Sequence, residues 1–253
     1  MSKYCILSLP RTGSTWLSSA IGNALFISQN YINLGEFINP SARSDKIYKL
    51  EDGYIKEYNE QLIIGNYNSF VNDRMDMIVN ANKDQPTVLK YMYWPFRHPD
   101  VNYLGNLQQI VDHGYRIISL DRDLFDCAVS FTVMVATGVS HRWRNGIGKF
   151  KYTGDLVAGE VEKFETITLI EDDFKSYYLS YIIADKLKKE LEAKANCSRV
   201  NYSNMGFDCF REKIPFGIHS YNIKLYDLPY DKLITNYSNL LEIKERIDKA
   251  YGK

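Results

Sequence analysis

The chain carries no net charge: among 253 residues, 31 Lys and Arg balance 31 Asp and Glu. Bulk attachment to nucleic acid or to an anionic membrane needs a basic excess, so neither partner is expected. No apolar run approaches the roughly 20 residues that cross a bilayer. The nearest, Ala128 to Val139, is interrupted by Ser130, Thr132 and Thr137. Cysteine is sparse, and Cys5, Cys127, Cys197 and Cys209 form no Cys-x-x-Cys pair and have no His at ligand spacing. No metal site is therefore expected. A full Walker A loop, Gly-x-x-x-x-Gly-Lys-Ser/Thr, is also missing. The first residues, Met-Ser-Lys-Tyr-Cys, lack the layout of a secretory signal. A reducing, cytoplasmic setting follows as the expectation, and the Asn-x-Ser triplets at Asn196, Asn201 and Asn236 are read as chance.

What is present is globular in kind: 45% hydrophobic and 25% charged residues. A chain of this length buries roughly 70–75% of its unfolded surface, so one domain over 1–253 is expected. Strand-like and helix-like segments alternate. Tyr4–Leu9 is an apolar run, and Pro10-Arg11-Thr12-Gly13 follows as a turn. From Ser14 to Phe26, Trp16, Leu17, Ala20, Ile21 and Leu25 recur at helical spacing, which reads as a helix. Thr87–Tyr93 and Tyr115–Leu120 read as strands, Val101–His113 as a helix closed by Gly114, and Asp123 as the cap of a helix from Leu124. Ile170 to Ala195 reads as one or two helices, Leu233–Thr235 as a short strand, and Leu240–Tyr251 as a terminal helix. Residues 196–230 read as loop, and Ser41–Gln85 has no clear assignment. The pattern predicts an α/β fold with a mostly parallel central sheet flanked by helices. In such sheets ligands bind beyond the carboxyl ends of the strands.

Two strand ends carry chemistry. After the first, Pro10-Arg11-Thr12-Gly13-Ser14-Thr15-Trp16 has the layout of a phosphate cradle: strand, glycine turn, hydroxyls opening a helix. Unpaired N–H groups and the helix dipole favour an anion there, and Gly13 permits close approach. An ordinary strand–turn–helix capped by Ser14 uses the same residue types. Cys5 and Arg11 also match the Cys-x5-Arg spacing of phosphatase loops. The residues between them are an apolar strand, however, which at about 3.3 Å per residue holds the thiol away from the turn. After the second strand end, Arg122 is followed by Ser130 about two helical turns on.

Together the two segments resemble the sulfotransferase family. Pro10 to Trp16 is similar to its 5′-phosphosulfate loop, and Arg122 to Ser130, ending Ala-Val-Ser, to its 3′-phosphate motif. Gly35-Glu36-Phe37-Ile38-Asn39-Pro40 and Ala136-Thr137-Gly138, with Trp143 beyond, resemble the bacterial trehalose-sulfotransferase-type branch. Ile234 to Leu241 is similar to a late strand–turn of the family without its acidic residues. Residues 41–85 and 150–230 match no motif. The resemblance implies a P-loop-like sulfotransferase fold. It also implies transfer of a sulfuryl group from 3′-phosphoadenosine 5′-phosphosulfate (PAPS; product PAP) to a hydroxyl of a carbohydrate or small metabolite. Arg11, Thr12, Gly13, Ser14 and Thr15 would hold the 5′ end, Trp16 would pack the adenine, and Arg122 and Ser130 would hold the 3′-phosphate. The family's histidine base, two residues after a strand Lys, is replaced: Lys90-Tyr91-Met92 keeps only the Lys. Glu36 is the carboxylate candidate for the base, His141 the reserve, and Lys90 a contact to the transferring group. The late Arg-Lys-Gly loop of the family has no counterpart; Arg142, Arg144, Lys149 and Lys151 offer a basic stretch instead. Two alternatives use the same fold: a nucleotide-dependent kinase, which lacks its P-loop Lys here, and a nucleotide-binding protein without catalysis.

Overall fold

A computed structural model describes residues 3–15, 17–18, 21, 32–36, 75–76, 86–93, 101–137, 166–204 and 229–253. Among the described residues five strands form one sheet: β1 (Lys3–Ser8), β2 (Ile32–Glu36), β3 (Thr87–Met92), β4 (Arg116–Asp121) and β5 (Ser198–Asn201). Their order is β2-β3-β1-β4-β5, and every pair is parallel. The helices are α1 (Tyr103–Asp112), α2 (Leu124–Thr137), α3 (Glu171–Lys194), α4 (Tyr230–Leu233) and α5 (Tyr237–Tyr251). The class is α/β, as the alternation predicts.

The chain forms two compact units, each visited twice: residues 1–122 with 184–220, and residues 123–183 with 221–253. The first holds the sheet. β1 lies at its centre, and Tyr4 to Ser8 are all buried. A strand covered on both faces needs such an unbroken apolar run, which Tyr-Cys-Ile-Leu supplies. Chain order reverses around β1: β2 and β3 lie to one side, β4 and β5 to the other. The crevice at such a switch point is where ligands bind in open α/β sheets. α1 begins on an Asn102 cap whose side chain accepts from the Gly105 N–H at 2.9 Å. The Tyr91 hydroxyl donates to the Tyr103 carbonyl at 3.0 Å, tying β3 to α1.

In the second unit Phe125 of α2 meets Phe174 and Tyr178 of α3 and Tyr237 of α5 edge-on, with centroids 5.5, 6.2 and 5.8 Å away. Asp123 caps α2, its carboxylate accepting from the Asp126 N–H at 3.0 Å, as the sequence suggests. The Asn236 side chain both accepts from the Leu169 N–H (3.1 Å) and donates to its carbonyl (2.9 Å), imitating a strand partner. The Tyr178 hydroxyl and the Lys244 ammonium both donate to Asp248, at 2.7 and 2.6 Å. Burial pushes this carboxyl up, but the Lys244 and Tyr178 bonds outweigh it and leave it below the ordinary carboxylate value. The folded form therefore takes up this proton less readily than the unfolded one. Its stabilisation is present above the unfolded pKa and is lost as pH falls through the folded one. Asp248→Asn is expected to flatten the acid limb of stability, read by denaturant unfolding between about pH 5 and pH 2.

Two sequence expectations change. Leu233–Thr235 is not a strand: α4 ends at Leu233, and Ile234 makes one isolated bridge with Ile167. The stretch after Ala195 is not all loop, because Ser198–Asn201 is β5. Only Val200 of that strand is buried, so an edge position is served by a mostly polar sequence. Glu171–Lys194 is one helix, within the expectation of one or two, with Glu171, Asp172 and Asp173 in its first turn, where the dipole favours acids. Within Ser41–Gln85 the described residues are few, with Met75 and Asp76 helical.

Candidate functional site

β1 delivers the chain into the turn at the sheet's switch point. Arg11 takes φ 61° and Gly13 φ 89°, so two left-handed positions flank Thr12. For Gly13 this is free; for an arginine it costs roughly 1–2 kcal/mol. A non-glycine residue held there marks a loop shaped for something other than connection. Thr12 is buried, and its hydroxyl donates to the Leu9 carbonyl at 2.8 Å, closing the turn. Its donor hydrogen is thus engaged, and its backbone N–H is what it offers a ligand. Helix begins at Ser14, and the Leu17 N–H reaches the Gly13 carbonyl at 3.1 Å. The N–H groups of this first turn have no carbonyl a turn behind them in the helix.

Two cations from neighbouring strands meet this loop. Lys90 of β3 is buried and donates from Nζ to Thr15 Oγ1 at 3.2 Å. Because an ammonium only donates, the Thr15 oxygen is the acceptor in this bond. Arg122, just past β4, donates from Nη1 to the Arg11 carbonyl at 2.8 Å. A bond from a charged donor is worth roughly 1.5–3 kcal/mol, the same order as the Arg11 strain, so it holds the left-handed turn in place. The Arg122 guanidinium also sits 4.3 Å from the centre of the Tyr202 ring. Tyr202 opens the single turn after β5, and Asn201 at the end of β5 stands opposite Asp121 in the ladder. Glu36, the last residue of β2, stands opposite Lys90 in the β2–β3 ladder, past a shift of register after Asn33. Among the described residues, the buried hydroxyls of Ser8 and Ser18 have no hydrogen-bond partner. Buried polar groups are ordinarily paired, so these two leave hydrogen-bonding capacity unmet on either side of the turn.

The first unit therefore assembles Arg11, Thr12, Gly13, Ser14, Thr15, Lys90 and Arg122 around one turn, with Glu36 at Lys90's register position. Ser130 belongs to the second unit, buried on α2. Trp16, His98, His141, Trp143 and the basic stretch from Arg142 to Lys151 lie outside the described residues. His113 closes α1 and its Nδ1 lies 2.7 Å from the Gln109 carbonyl. The phosphatase spacing is not realised: Cys5 is in mid-strand opposite Leu89 and Ile117, and burial drives its thiol far above the ordinary value. Tyr202 is the site residue that sequence reasoning misses. Its signal, an aromatic directly after a strand, is hidden because β5 is polar.

The strained turn has a measurable consequence. Arg11→Gly removes a left-handed penalty of roughly 1–2 kcal/mol and adds about 0.5–1 kcal/mol of glycine entropy. The expected result is a slightly higher unfolding free energy in urea together with weaker binding of phosphate-bearing ligands. Stability and affinity moving in the same direction would count against a loop strained for binding.

No family model and no curated protein matches this chain.

Proposed function

We propose that this protein is a sulfotransferase with the P-loop-like fold of that family, moving a sulfuryl group from PAPS to a hydroxyl of a carbohydrate or small metabolite. One observation carries this reading: a left-handed turn at the switch point of a parallel sheet, held by Lys90 and Arg122, with helix N–H groups beginning beyond it. Its residues are those by which the sequence resembles the family's phosphosulfate loop. In this reading the backbone N–H groups, the Thr15 hydroxyl and Lys90 serve the 5′ end, and Arg122, bonded to the Arg11 carbonyl of the same turn, is given the 3′-phosphate by the resemblance. PAPS supplies the sulfuryl group, which passes to the acceptor oxygen as the bond to the 5′-phosphate oxygen breaks and PAP leaves with the bonding electrons. In this assignment Ser14 and Thr15, with the backbone from Arg11 to Gly13, orient the 5′-phosphate. Lys90 places positive charge where negative charge develops, and such preorganised donors act without reorganisation at the moment of reaction. Glu36 takes the acceptor proton. Arg122 grips the 3′-phosphate. A cytoplasmic setting belongs to this reading.

Calorimetric titration with PAP, beside ADP and ATP with Mg²⁺, tests this. Binding of PAP that is tighter than ADP by tenfold or more supports a site built for a 3′-phosphate. A preference for ATP with Mg²⁺ would move the protein to the kinases. PAP binding without sulfation of any hydroxyl in an acceptor screen would leave the non-catalytic alternative.

A further inference from the structure

We infer that Lys188 and Glu192 of α3 are positioning residues that aim Arg122 at the loop after β1; only the ligand readout below rests on the function proposed above. Arg122 lies just beyond a strand end whose support changes sides. The β1–β4 ladder runs from Tyr4–Arg116 to Leu7–Ser119, whereas the β4–β5 ladder runs from Ile118–Ser198 to Asp121–Asn201. At its carboxyl end β4 is thus laddered to the edge strand β5, which buries one residue of its four. A second anchor comes from α3. The Ser119 hydroxyl donates to Glu192 Oε1, and the Lys188 ammonium pairs with Asp121. Lys188 and Glu192, one helical turn apart, are joined at 3.2 Å, and Arg199 of β5 reaches Glu192 Oε2 at 2.8 Å.

Ser119 and Asp121 share one face of β4, because side chains alternate along a strand. α3 therefore grips the last two residues of that face, and the residue after them is Arg122. The side chains of Lys188 and Glu192 are each only 5% exposed. Burial pulls the Lys188 ammonium below the ordinary lysine value, against the pull of Glu192. Burial pushes Glu192 up, but the Ser119 hydroxyl, Lys188 and Arg199 bring it below the ordinary carboxylate value. Buried ion pairs add little net stability over apolar packing. Their geometry is rigid and directional, which is what a strand end needs if its next side chain must meet one carbonyl and one ring.

Lys188→Met keeps the stem and removes the charge. Glu192 retains Ser119 and Arg199, and the Asp121 side chain is 40% exposed and can turn to water. The variant is therefore expected to fold. The readout is the Arg122 side-chain Nε–Hε signal in the free protein, assigned by its loss in Arg122→Ala. In the wild type it should be narrow and slowly exchanging. In Lys188→Met it should broaden or exchange faster, while amide shifts along β1 stay put, and Lys188→Arg should restore it. In PAP titrations, Lys188→Met should cost about tenfold in affinity in the wild type and nothing further in Arg122→Ala, the signature of coupled residues. An unchanged Arg122 signal in folded Lys188→Met, or an equal affinity loss in both backgrounds, overturns the inference. Should Lys188→Met not fold, Asp121→Ala breaks the same contact at a half-exposed position, and its Arg122 signal decides in the same way. If the wild type binds no PAP, the proposed function falls while the Arg122 signal still decides the role of Lys188.

Discussion

Arg122→Ala is expected to weaken PAP binding by about 100-fold, the loss of one or two charge-assisted hydrogen bonds at roughly 1.5–3 kcal/mol each. ADP, which lacks the 3′-phosphate, should weaken only a few-fold. That smaller loss reflects the second task of Arg122, holding the Arg11 carbonyl and with it the left-handed turn. Arg122→Lys should recover only part of the difference. A lysine keeps the charge but has no planar fork to lie on the Tyr202 ring while reaching the carbonyl. Titration of the three proteins with both nucleotides gives the answer. If Arg122→Ala lowers PAP and ADP affinity equally, the arginine is a loop brace and the 3′-phosphate is held elsewhere.

Glu36→Gln is expected to lower kcat by roughly 10²–10⁴-fold, the usual contribution of a positioned general base. The dissociation constant for PAP should stay within about twofold, since the amide keeps the size of the side chain and the phosphate loop is untouched. The ladder is the structural ground for this expectation. Glu36 ends β2 at the position opposite Lys90, and Lys90 in turn reaches Thr15 of the loop. Glu36, Lys90 and the turn after β1 thus belong to three adjacent strands, β2, β3 and β1. Sulfuryl transfer to a screened acceptor at saturating PAPS measures kcat, and calorimetry measures the affinity. Full activity in Glu36→Gln would remove the carboxylate from the mechanism.

The parts of this fold visible in the sequence are those whose causes are local. β1 is legible because a central parallel strand demands an unbroken apolar run, and Tyr4 to Leu7 is one. The turn that follows is legible from its glycine and hydroxyls. The start of α2 is legible because Asp123 is a capping residue beside its own N–H partner, three positions away. β5 is not, since an edge strand with one buried residue has no periodic signature. Nor is the buried state of Lys188 and Glu192. On a polar helix they read as a solvated pair of opposite charges, and only packing against Ser119 and Asp121 turns them inward.

By itself, then, the amino-acid order determined the α/β class and the glycine turn after β1, because each depends on residues within a few positions of one another. The tertiary structure alone decided three things. Arg11 adopts a left-handed backbone, Arg122 donates to a carbonyl 111 positions away, and Tyr202 supplies the ring beneath it. These depend on which strands become neighbours. Strand order follows from how the whole sheet buries its apolar faces, a free energy spread over many distant residues and written in no short segment.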